Sequence, residues 1–294
     1  MPSSRTRLGL VTTALLLLPV SAGMLATANA AAPQGETGAV PVTTCGPGSL
    51  PKTGLQGRIP PADVASGRAA QGYTCNTEQI GLLPSSAGWR VLRYGDCACY
   101  NGEPGGVPLG IASQPTEAGT RVMDVTDPTR PVQTDFLRLT PAMLSPHESM
   151  DLNVERGILV AAFGNLATLP GVVDVYDIKT DCRKPKLLAS VNIAGLLGHE
   201  GSLSPDGLTY YVASTGGNTL TAVDLTDTTM PKAIAVTNVS SHGLSLSPDG
   251  NTLYDTVTSG AEKGMVTYDV SAIQARTLPP VVTPVLTPGV GSSS

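Results

Sequence analysis

Ser204-Pro205-Asp206-Gly207, the β-prone run Thr209-Tyr210-Tyr211-Val212-Ala213, and Ala222-Val223-Asp224-Leu225-Thr226-Asp227 together decide the fold. The first four residues suit a tight turn, because proline fixes φ and glycine accepts a positive one. Apolar and β-branched residues then alternate with turn clusters, as in short strands. An outer strand such as Lys186-Leu187-Leu188-Ala189-Ser190-Val191 completes a unit of four strands in roughly 45 residues, the size of one propeller blade.

The unit repeats. Val122-Met123-Asp124-Val125, Val175-Tyr176-Asp177-Ile178, Ala222-Val223-Asp224-Leu225 and Thr267-Tyr268-Asp269-Val270 share one pattern, with aspartates 53, 47 and 45 residues apart. Ser247-Pro248-Asp249-Gly250 repeats the turn at Ser204, and Glu155-Arg156-Gly157 takes its place one unit earlier. The predicted fold is an all-β propeller with about four blades, at 84–140, 141–193, 194–238 and 239–286. A single blade cannot bury both faces, so each must stack on a neighbour. Composition agrees: 33 glycines and 25 prolines in 294 residues far exceed the about 12% of average chains, and long helices are nearly excluded.

The ends read differently. Residues 1–30 have the form of a secretory signal: Arg5 and Arg7, an apolar run from Leu8 to Val20, and the small-x-small site Ala28-Asn29-Ala30. The run is short for a bilayer span of about 20 residues, so no membrane span is expected after cleavage. Residues 31–83 read as an irregular extension and 287–294 as a disordered tail. Export permits disulfides. One is expected between Cys45 and Cys75, closing the extension, and a second from either Cys97 or Cys99 to Cys182, with one thiol left over.

The repeats resemble LVIVD-repeat proteins, a secreted bacterial propeller group, and more distantly the YVTN/lactonase-type propellers with their Ser-Pro-Asp-Gly turns. Ser66-Gly67-Arg68, Gly72-Tyr73-Thr74-Cys75-Asn76, Asp96-Cys97-Ala98, Asp181-Cys182-Arg183 and Gly198-His199-Glu200-Gly201 resemble exported, uncharacterised actinobacterial propellers. Those relatives run on for further blades, whereas this sequence fades after Ile273. The resemblance implies a propeller and brings no established activity. An array left open would be able to self-associate.

All three histidines, His147, His199 and His242, fall at one repeat position, where an inner strand begins beside the central channel. Glu148 and Glu200 follow two of them. Such a ring is a candidate site for a divalent metal such as zinc, copper or iron, or for base chemistry on a bound water. The competing reading is structural, each ring bonding backbone between blades. Facing sheets pack about 10 Å apart while imidazole–metal bonds are about 2.1 Å, so three adjacent blades need a narrow channel to share one ion. The repeated aspartates are expected to hold turns.

The charge of −5 and scattered basic residues exclude the usual nucleic-acid footprint. The chain has no Gly-x-Ser-x-Gly elbow, phosphate-cradling glycine loop or His-Glu-x-x-His. Two readings follow. One is a secreted binding or scaffold propeller that recognises an extracellular protein, glycan or small ligand through its channel mouth or blade-top loops. The other is a metal-dependent extracellular enzyme, a lactonase-like hydrolase or an oxidoreductase, built on the histidines. The sequence leans to the first and names no reaction.

Overall fold

The computed structural model describes residues 44–52, 59–85, 88–102, 118–163, 171–193, 198–214, 217–258, 264–277 and 283–285. The signal-like residues 1–30 and the tail 287–294 lie outside them. The chain divides into two compact units, Met1–Thr77 and Glu78–Ser294.

Among its described residues the first unit has little regular structure. A helix α1 (Pro61–Ala65) and a 3-10 turn (Arg68–Gln71) contain no buried residue. Covalent and polar ties replace a core. Cys45 bonds Cys75, Leu50 and Thr74 exchange backbone hydrogen bonds, and the Tyr73 hydroxyl donates to Asp63 at 2.6 Å. Arg68 stacks on the Tyr73 ring.

Among its described residues the second unit holds sixteen strands in four antiparallel sheets, each a simple meander in chain order. The first blade is β1 (Val91–Tyr94), β2 (Cys97–Asn101), β3 (Thr120–Asp124) and β4 (Val132–Leu137). The second is β5 (Asp151–Asn153), β6 (Ile158–Ala162), β7 (Val172–Asp177) and β8 (Lys186–Asn192). The third is β9 (Glu200–Leu203), β10 (Thr209–Ser214), β11 (Thr219–Asp224) and β12 (Lys232–Asn238). The fourth is β13 (Gly243–Leu246), β14 (Thr252–Val257), β15 (Gly264–Asp269) and β16 (Thr283–Val285). The short helix α2 (Pro141–Leu144) joins the first and second blades, and α3 (Ser271–Gln274) lies between β15 and β16 of the fourth.

The alternation of side chains across a strand explains the stacking. Ile158, Val160 and Ala162 of β6 pack with Tyr210 and Val212 of β10. Their neighbours Leu159 and Ala161 turn the other way, onto Cys99 and Val122 of the first blade. Tyr211 and Ala213 likewise meet Leu244, Leu253 and Tyr268 of the fourth. Strands apolar on both faces are thus sandwiched between blades. β14 instead alternates buried Leu253, Asp255 and Val257 with exposed Tyr254 and Thr256. The four sheets do not close into a ring among the described residues.

The repeated turns behave as their sequences require. Gly207 and Gly250 take φ of 68° and 74°, and each donates its N–H to the serine that opens the turn. Asp124, Asp177, Asp224 and Asp269 each accept the backbone N–H two residues on.

Two further features mark how strands and blades join. Each of the first three blades carries a register shift between its third and outer strands, at Val122/Met123, Val175/Tyr176 and Ala222/Val223. An arginine also stitches each seam. Arg183 donates to Asp124 at 2.6 Å and to Thr126 at 2.8 Å, and its bond to Asp124, with those from the Thr126 hydroxyl and N–H, pulls the Asp124 carboxyl far below its usual range. Arg156 donates to the carbonyls of Gly207 and Leu225, and Arg276 to Asp224 and the Leu208 carbonyl. The Cys97–Cys182 disulfide adds a covalent tie between the first and second blades.

Candidate metal centre

Inner strands run side by side where blades converge. Glu148 forms a parallel bridge with Glu200, so the segments that begin the second and third blades are paired there. His199 directly precedes β9 and His242 directly precedes β13. His147 lies just ahead of Glu148 with φ of 49°, a left-handed conformation that few non-glycine residues adopt and that often marks a functional site. The Asn101 amide donates to its carbonyl at 3.0 Å.

The close approach depends on Gly201. A Cβ there would stand 2.2 Å from the Tyr210 hydroxyl and 2.7 Å from the Ser149 carbonyl oxygen. Tyr210 itself donates to that carbonyl at 2.6 Å. The glycine of the Gly-His-Glu-Gly stretch therefore sets the spacing of two inner strands.

All five residues singled out in the sequence come together. The rings of His147 and His199 lie 4.7 Å apart between centroids, and those of His199 and His242 4.8 Å. The Nε2 atoms of His199 and His242 are separated by 3.2 Å. Glu148 Oε2 stands 3.4 Å from the first and 3.8 Å from the second. The objection from facing sheets at about 10 Å fails here, because the blades narrow toward the axis and their inner ends meet.

These separations have a chemical meaning. Four ligands at about 2.1 Å in a tetrahedron stand about 3.4 Å from one another. His199 Nε2, His242 Nε2 and Glu148 Oε2 thus outline one face of such a tetrahedron. Glu148 Oε2 is buried, with no hydrogen-bond partner among the described residues, and an unbonded buried carboxylate oxygen is costly. The imidazole and carboxylate donors suit zinc, copper, iron or nickel more than calcium or magnesium. His147, Glu148 and His199 offer one group of donor atoms within 4.8 Å, and Glu148, Glu200 and His242 another.

The surroundings orient these donors. Glu200 Oε2 lies 3.6 Å from Nδ1 of His242, the nitrogen opposite Nε2. A carboxylate there favours the proton on Nδ1 and frees Nε2 to bind. Glu200 is held by Arg90 at 3.0 Å and the Leu244 N–H at 3.3 Å. Burial raises its pKa, and Arg90 opposes that rise. Arg90 is anchored by the carbonyls of Met150 and Gly201. Behind His242, buried Asp255 accepts from the Ser241 hydroxyl and the His242 N–H. Arg90, Asp255 and Trp89 were not legible as site residues; Trp89 meets the His147 ring edge-on at 5.0 Å.

No protein-family model matches the chain, and no curated protein does. Several solved structures match part of it. A 6-phosphogluconolactonase-like protein from Bacteroides fragilis is 16% identical, with a TM-score of 0.47 over 68% of this chain and 56% of its own. A periplasmic gluconolactonase from Pseudomonas aeruginosa is 16% identical, with a TM-score of 0.45 over 60% and 53%. A β-propeller domain from Myceliophteria thermophila is 11% identical, with a TM-score of 0.45 over 66% and 57%. The chain spans about half the length of the solved structures it matches. Four consecutive meander sheets stacked face to face make this a propeller-type array, and the class rests on that sheet order.

Proposed function

We propose that the chain is an exported propeller protein that works through one divalent transition metal held by His199, His242 and Glu148. The observation carrying this reading is the triangle of Nε2, Nε2 and Oε2 atoms at 3.2, 3.4 and 3.8 Å. Catalytic zinc is held by three protein donors and keeps its fourth position for water or substrate, whereas structural sites are closed by four. A metal so held polarises a carbonyl and makes water a better nucleophile. Glu200 and Arg90 keep His242 in the binding tautomer. The chemistry that fits is metal-assisted hydrolysis of an ester or lactone, the second of the two functions weighed from the sequence. Export is supported by the signal-like N-terminus and by two disulfides, which persist in oxidising compartments.

The test is elemental analysis of untagged protein after equilibration with zinc and removal of the excess. About one equivalent per chain is expected, lost in His199→Ala with the far-ultraviolet circular dichroism unchanged. A metal-free wild type overturns the proposal.

A further inference from the structure

Trp89 is the only tryptophan of the chain. It is 58% exposed, and its ring meets His147 at the edge of the centre. Its backbone is fixed in place. Buried Asn101 accepts the N–H groups of Trp89 and Arg90 through one side-chain oxygen, and its amide donates to the His147 carbonyl. The same side chain therefore locks the tryptophan backbone to that of His147. An exposed indole with its backbone held beside a cluster of polar donors is a platform for which the backbone part of the ordering cost is already met.

From this we infer that Trp89 is the stacking surface for the ligand of this site, and that the ligand is an uncharged pyranose-type ring. The inference rests on the proposed metal centre. The chemistry selects the class by two requirements. The ligand must offer an apolar face to the indole, and hydroxyls to the carboxylates and imidazoles beyond it. A pyranose has both, with axial C–H groups on its faces and oxygens around its rim. A plain aromatic ring has only the first. The adjacent side-chain cation, Arg90, is committed to Glu200 and two backbone carbonyls, so recognition beside Trp89 falls to stacking and hydroxyl contacts rather than to a guanidinium that would select a phosphate or carboxylate.

Because Trp89 is the sole tryptophan, its fluorescence reports this place alone. Zinc-equilibrated protein would be titrated with the methyl pyranosides of glucose, galactose, mannose and xylose. The controls are sorbitol, phenol and glucose 6-phosphate. At least one neutral pyranoside should shift Trp89 emission to the blue while sorbitol does not. Trp89→Ala should lower pyranoside affinity at least tenfold by calorimetry and leave the zinc content unchanged. A response to phenol alone, a stronger response to the phosphate, no response to any pyranoside, or equal affinity in Trp89→Ala overturns the inference. A wild type without zinc that still responds to a pyranoside removes the metal centre and leaves the platform standing.

Discussion

His199 and His242 are 43 residues apart, yet their Nε2 atoms lie 3.2 Å from each other. Each ring comes from the start of a different inner strand, so only blade stacking brings them together. The two should differ on removal. His199 is 4% exposed, so His199→Ala should lower the stability of the metal-free protein by about 1–3 kcal/mol, as for other buried polar partners. The His242 side chain is 31% exposed, and His242→Ala should cost less stability while abolishing metal binding equally. Urea unfolding in chelator, run beside zinc titration, checks both. Equal stability losses with zinc still bound would point to two structural histidines.

Glu200 tests the orienting chain from Arg90 to His242. Glu200→Gln keeps the side chain's shape but removes the charge that favours a proton on His242 Nδ1. Losing such a partner typically costs 10–100-fold in metal affinity. The variant should therefore still bind one equivalent at saturation, with weaker affinity in competition against a chromogenic chelator. Unchanged affinity would mean that Glu200 does not set the tautomer.

Much of this architecture was legible because it is periodic. The Val-x-Asp strand and the Pro-Asp-Gly turn recur, and both are local events: a β-bulge or a seam is not. The register shifts at Val122, Val175 and Ala222 share one repeat position, two residues before the repeated aspartate, but no residue type there announces them, since each depends on the strand beside it. Arg90 was invisible for a similar reason. It precedes β1 in the chain, and its partner Glu200 opens the third blade, 110 residues on. The histidines were found because they repeat, but their convergence was not, because flat-sheet spacing says nothing about how blades narrow at an axis.

The cysteines give a prediction with three parts. Cys97 and Cys182 are 85 residues apart in sequence, and removing a native bridge typically costs about 2–5 kcal/mol. Cys182→Ser should therefore lower the melting temperature without altering the strand content. Cys99 is free and buried, and burial pushes its thiol up to about 12, so little reactive thiolate forms. A thiol reagent should label no cysteine in the native protein and one after unfolding. Rapid labelling of the native protein would contradict the packing of Cys99 against Val122.

The last prediction concerns Asp255, which is wholly buried. Burial, and Glu200 nearby, push its carboxyl up to about 7, while hydrogen bonds from Ser241 and the His242 N–H oppose the rise. Its Oδ2 has no hydrogen-bond partner among the described residues. In an unfolded chain the same group titrates near about 3.9. Between these values the folded protein keeps a proton that the unfolded chain has lost. Its contribution to stability is therefore full below about pH 4, falls as pH rises toward 7, and changes little beyond that, with a slope of at most about 1.4 kcal/mol per pH unit. Asp255→Asn removes the titration while its remaining oxygen still accepts from Ser241 and His242. The signature is the slope rather than the absolute stability, because the new amide N–H groups are themselves buried. Urea midpoints measured in chelator at pH 4, 6 and 8 should therefore favour the variant progressively over the wild type as pH increases. Parallel profiles for the two proteins would show that Asp255 titrates in the ordinary carboxylate range.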